Sequence, residues 1–200
     1  MREWLGTVSA DAMPEVKNLR MSCRMSGKRY KRTMIEIRKS TVADCETIRS
    51  IAEVAFPETY ARILTKDQID YMMEWMYSIP NLRKQMLEEG HIYYLAFEEG
   101  KPVGYVSIQQ EGDDLFHLQK IYVLPDMQGK GVGRKLFERA VEAVKELHPK
   151  RCSVELNVNR ENGALHFYER MGMKKLRSGD FEIGNGFYMN DYIMGLEVGE

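Results

Sequence analysis

Gln128-Gly129-Lys130-Gly131-Val132-Gly133 stands between a run of apolar, strand-like residues and a long amphipathic stretch. Glycines at a strand-to-helix junction leave backbone N–H groups uncovered, and the start of a helix adds positive dipole potential. Together these features can hold a diphosphate. Two better-known glycine fingerprints do not fit. A triphosphate loop needs G-x-x-x-x-G-K followed by Ser or Thr, whereas Gly133 is followed by Arg134 and Lys135, so no hydroxyl is placed for magnesium. A dinucleotide loop needs G-x-G-x-x-G early in the chain; here the third glycine comes one residue too soon and the unit lies past mid-chain.

A second segment follows downstream. It runs Leu156-Asn157-Val158-Asn159-Arg160-Glu161-Asn162-Gly163-Ala164-Leu165-His166-Phe167-Tyr168-Glu169-Arg170-Met171-Gly172-Met173 and reads as a strand, an asparagine and a short helix. The first segment, as Gln-x-x-Gly-x-Gly with Gln128, Gly131 and Gly133 at its marked positions, resembles the acetyl-coenzyme A loop of the GNAT N-acetyltransferase superfamily. The second resembles that family's other cofactor segment, with one departure. Asn162 stands six residues before Tyr168, one fewer than the commonest spacing in the family.

The resemblance implies acetyl transfer from a thioester to a primary amine by direct attack in a ternary complex, with acetyl-coenzyme A as donor and no metal. A protonated amine of pKa ~10.4 must give up about 4 to 5 kcal/mol to expose its lone pair at neutral pH. The departing thiolate leaves more readily if an acid protonates it. The resemblance places Tyr168 beside the sulfur as that acid. The position where relatives often carry a Glu that acts as base is His117, whose ordinary pKa near 6.5 suits proton acceptance; a water chain arranged by Gln119 or a backbone carbonyl is the alternative. Main-chain groups of Ile121, Tyr122 and Val123 are expected to pair with the pantetheine amides as an added strand would. Gln128, Gly129, Lys130, Gly131, Val132, Gly133 and Arg134 are expected to take the diphosphate, and Asn162 and Tyr168 to complete the cofactor site. A non-catalytic acetyl-coenzyme A sensor is the competing reading.

The acceptor is less legible. Phe56-Pro57-Glu58-Thr59-Tyr60, the methionine-rich stretch after Thr65, and Phe181 to Gly186 with Asn190-Asp191-Tyr192 resemble polyamine-type, PaiA-like members. Glu58, Asp67, Asp70 and Glu74 are candidates for an acidic mouth, against the plainer reading that helix-surface charges only solubilise. A small polyamine-like molecule or a peptide is the expected acceptor.

The elements that must position these groups follow from periodicity. Ile35 to Arg38 reads as a strand, and Thr41 with Asp44 caps a helix running to about Ala55. Helices fill about 65 to 89, broken at Pro80. Strands are expected at His91 to Phe97, Pro102 to Gln110 and Leu115 to Leu124. A helix with the stripe Val132, Leu136, Ala140, Val144 and Leu147 comes next, then a strand at Val154 to Val158, a helix at about Asn162 to Met171, and two closing strands around Gly184-Asn185-Gly186. That order matches the GNAT layout. It implies an α/β (α+β) fold with a mixed, mostly antiparallel sheet of about six to seven strands and helices on both faces. In that fold the strand before the glycine loop and the one after its helix run side by side and then splay apart.

A formal net charge of -1 argues against broad nucleic-acid binding. Cys23, Cys45 and Cys152 form no C-x-x-C pair, which suggests neither a metal knuckle nor a disulfide frame. No apolar run reaches the ~20 residues of a membrane span, so a cytoplasmic protein is expected. Residues 34–200 form the expected catalytic domain. Residues 1–33 are basic and read as an extension ahead of the natural start. The sequence leaves a homodimer open.

Overall fold

The structure, a computed structural model, describes residues 34–200. The expectations for the basic extension and Cys23 lie outside the described residues.

Seven strands form one mixed sheet in the order β1-β2-β3-β4-β5-β7-β6. They are β1 Ile35–Lys39, β2 Ile92–Glu98, β3 Lys101–Gly112, β4 Leu115–Val123, β5 Cys152–Asn159, β6 Lys174–Gly184 and β7 Phe187–Val198. All neighbours are antiparallel except β4 and β5. Helices α1 Cys45–Tyr60, α2 Lys66–Tyr77 and α3 Ile79–Leu87 precede β2, α4 Val132–Leu147 links β4 to β5, and α5 Leu165–Arg170 links β5 to β6. This is the expected layout.

Each face of the sheet carries its own core. On one, α4 buries Val132, Leu136, Phe137, Ala140, Ala143 and Val144 against Val106, Ile108, Phe116, Leu118, Val154, Leu156 and Val158. Burying side chains of the Leu and Phe class contributes roughly 1.5–3 kcal/mol each, so this stripe alone anchors α4. On the other face, Ile48, Ile51, Ala52, Ala55 and Phe56 of α1 pack with Met72, Tyr77 and Leu82 onto Tyr93, Leu95 and Tyr105.

Three helix boundaries differ from the expected ones. Thr41 and Asp44 do form a capping box, but it caps a 3-10 turn, Val42–Asp44, that leads into α1. At its other end α1 runs past Ala55 and through Pro57 to Tyr60, with the Pro57 carbonyl accepting from Ala61 N. Proline costs one internal hydrogen bond, and burial of Phe56 and Tyr60 offsets it. Pro80 does not itself end a helix. It sits in the first turn of α3, where its missing N–H costs nothing, and the break falls at Ser78.

Strand β4 carries a bulge. Ile108 pairs with Leu118 and Ser107 with Lys120, which leaves Gln119 as an extra residue. An extra residue flips the alternation of side chains beyond it. Phe116 and Leu118 join the α4 core. Past the bulge Ile121 and Val123 take that side, while Lys120 and Tyr122 turn toward α1 and α3.

Candidate active site

Strands β4 and β5 pair only at Leu115–Ser153, Phe116–Val154 and His117–Glu155. Beyond that last rung they separate. The opening is a cleft of about 1000 Å³ whose walls are Leu118 to Val123 on one side and Asn157 and Val158 on the other. Glu58, Thr59 and Tyr60 from the end of α1, the glycine loop, and Phe167 and Tyr168 of α5 with its C-cap Met171 close it round. The extension of α1 through Pro57 is what brings Glu58 and Tyr60 here.

The loop between β4 and α4 has an open, left-handed backbone at the start of a helix. Gly129 has φ +75° and Gly131 φ +83°, left-handed values that strain any side-chain-bearing residue. Apart from adjoining chain, neither has an atom within 4 Å of where a Cβ would stand, and both line the cleft. Gly131 is the N-cap of α4, whose first N–H groups have no intrahelical acceptor. The Gln128 side chain donates to the Val123 carbonyl at 3.2 Å and ties the loop to β4. Lys130 Nζ contacts the Met127 sulfur at 3.4 Å, and Arg134 pairs with Glu138 at 2.7 Å. The open amides and the positive helix end fit a diphosphate.

Tyr168 is buried at 8% exposure, and that burial pushes its pKa up, so the phenol is neutral and holds its proton. Tyr60 is raised by burial as well, opposed by hydrogen bonding to Tyr122 and Asn162 and reinforced by the charge of Asp191. Asn162 uses its side-chain oxygen to accept from Ala164 N at 2.9 Å, which shapes the entry to α5.

Of the residues expected from sequence, the cleft gathers Ile121, Tyr122, Val123, Gln128, Gly129, Gly131, Gly133, Arg134, Asn162 and Tyr168. Lys130 and Val132 stand within the same loop but do not line it. His117 does not line it either. It occupies the last paired rung, at the closed end of the opening, with Nδ1 3.6 Å from Glu111 Oε2. Burial lowers its pKa, partly countered by Glu111 and Glu155. Of the four candidate acidic residues only Glu58 reaches the cleft; Asp70, for instance, pairs with Lys66 on the surface of α2.

Lys120 and Asp191 were not singled out from sequence as site residues. Lys120 Nζ donates to Gln85 Oε1 at 2.9 Å and lies 5.8 and 5.6 Å from the ring centres of Tyr77 and Tyr93. Burial lowers its pKa to about 7. Asp191 accepts from Asn157 Nδ2 at 3.3 Å, and burial raises its pKa. In the sequence Lys120 is only a charged residue inside an otherwise strand-like run, and Asp191 enters only within the closing segment that resembles PaiA-like members.

A model of the acetyltransferase (GNAT) domain matches residues 61–194. The chain belongs to the GNAT family. Among characterised GNAT relatives it is 26% identical to a spermidine N(1)-acetyltransferase of Thermoplasma acidophilum, over 70% of this chain and 88% of that protein. It is 32% identical to an uncharacterized N-acetyltransferase of Escherichia coli, over 48% of this chain and 58% of the relative's length. The chain thus spans little more than half of that relative. The GNAT fold is shared with a crystal structure of PaiA N-acetyltransferase from Thermoplasma acidophilum in complex with coenzyme A, at TM-score 0.69 and 24% identity, covering 82% of this chain and 99% of the other.

Proposed function

We propose that this GNAT chain transfers an acetyl group from acetyl-coenzyme A to a primary aliphatic amine. The observation that carries the reading is the parting of β4 from β5 directly beside an open, left-handed glycine loop at the start of α4. When bound, the coenzyme supplies the thioester whose acyl carbon an amine attacks. The edge of β4 at Ile121, Tyr122 and Val123 that no strand covers, where the Val123 carbonyl accepts from Gln128, holds the pantetheine amides, and the amides from Gly129 to Arg134, with Gln128, hold the diphosphate. Asn162 orders the entry to α5. Tyr168, neutral because it is buried, keeps a proton at its hydroxyl for the leaving sulfur. His117, neutral for the same reason but set back at the last paired rung, takes the amine's proton through water along the wall that Gln119 lines.

The acceptor we propose is polyamine-like. Glu58 at the cleft supports this, and so does the likeness over most of both chains to a protein named as a spermidine N(1)-acetyltransferase. The test is thiol release with spermidine, a lysine peptide and an aminoglycoside as acceptors, for the parent and for Tyr168→Phe. The parent turns over spermidine fastest, and the variant loses roughly 100-fold or more in kcat while still binding coenzyme. Tight coenzyme binding with no turnover of any amine would replace this reading with that of a sensor.

A further inference from the structure

Behind the lining of the cleft, bonded to the lining residue Asn157, lies a buried carboxylate whose hydrogen-bonding capacity is only half used. Asp191 is 5% exposed, and its Oδ1 has no hydrogen-bond partner. Oδ2 accepts one bond, from Asn157. The cation whose charge reaches it is Arg160, but that guanidinium is committed to the Gly179 carbonyl at 3.0 Å and to Asp180 at 2.8 Å. Strand register defines where the carboxylate lies. Asp191 is opposite Asn159 and Ile193 is opposite Asn157, so Asp191 shares the sheet face of Asn157, which itself lines the cleft. The carboxylate therefore sits one side chain behind the cleft surface. Its charge also acts on Tyr60, another lining residue.

Burying an ionised carboxylate with one hydrogen bond and no ion pair is costly, and the cost falls away when a cation joins it. A hydrogen-bond donor without charge would satisfy Oδ1 only in part. Strand β7 is well fixed for such a role: Gln68 donates to the Tyr188 carbonyl at 2.8 Å and Tyr71 to the Ile183 carbonyl at 2.8 Å, holding the β6–β7 hairpin to α2. We infer that Asp191 is the seat for an ammonium group of the acceptor, with Asn157 as its gatepost and Glu58 as a second anionic contact nearer solvent. The acceptor class is thereby an aliphatic cation, and one with two separated ammonium groups engages both carboxylates. The inference rests on the acetyltransferase reading and deepens it.

The variant Asp191→Asn keeps the shape, and its side-chain oxygen can still accept from Asn157. Relative to the parent, we expect the KM for spermidine to rise roughly 10- to 100-fold, the loss of one hydrogen bond to a charged group. We expect kcat to change little, coenzyme A affinity by calorimetry to be unchanged, and KM for an uncharged arylamine to be unaffected. A purely structural role would move all of these together. Thermal melts establish that the variant folds, and Asp191→Ser serves if it does not. An unaltered spermidine KM in a folded variant overturns this inference alone. So does failure of spermidine to bind the coenzyme-loaded parent. Failure of the parent to bind coenzyme A overturns the broader reading as well.

Discussion

Lys120→Met gives the sharpest energetic test of how this cleft is built. Lys120 is buried at 7% exposure with no carboxylate bonded to it, and its pKa falls from 10.5 to about 7. At about 1.4 kcal/mol per tenfold change, that displacement corresponds to about 5 kcal/mol of charge-burial cost where the unfolded chain is fully protonated and the folded one must become so. The sign follows from proton uptake. Between the two pKa values the unfolded chain binds more protons than the folded one, so parent stability rises with pH from about 7 to 10.5. Methionine has nearly the same shape and no charge. It forfeits the hydrogen bond to Gln85, about 1 kcal/mol, and the contacts with Tyr77 and Tyr93, about 1 kcal/mol more. Tyr93 still donates to Gln85 at 2.5 Å, so the amide oxygen keeps a partner. The variant should therefore gain about 2–3 kcal/mol at about pH 6, and the gain should vanish or reverse at about pH 10. Urea denaturation followed by circular dichroism at both pH values measures it. A variant no more stable than the parent near pH 6, or a difference that does not depend on pH, would refute the reasoning.

Two further outcomes bear on the cofactor edge. A Cβ added at Gly104 would lie 2.7 Å from the Tyr122 carbonyl oxygen and 3.3 Å from Val123 Cα, so Gly104→Ala must push β4 aside. It should cost about 1–3 kcal/mol in melts and, if the proposed pairing of pantetheine with Ile121 to Val123 holds, weaken coenzyme binding, because that segment is the one displaced. Tyr168→Phe, by contrast, should leave coenzyme affinity and stability near the parent values while thiol release collapses.

Local rules made much of this molecule legible. The glycine loop could be read because left-handed backbone demands glycine at Gly129 and Gly131 and because the stripe from Val132 to Val144 marks α4 at once. The parting of β4 from β5 came with the family resemblance, and the register bears it out. What escaped depends on partners distant in sequence. The bulge at Gln119 exists only relative to β3, yet it decides that Lys120 turns toward Gln85 and Tyr93. The passage of α1 through Pro57 follows from burial of Phe56 and Tyr60, which outweighs the local signal to stop. Asp191 looked like an ordinary hairpin residue. Its burial arises from pairing with β5 across Asn159.

Calorimetric titration of the purified chain with coenzyme A is the most direct test of the central claim. Saturable binding of one equivalent, lost when Gly131 is replaced by valine in a chain that still folds, is the result the geometry predicts. Absence of any binding heat across temperatures, or affinity untouched by that replacement, would contradict it.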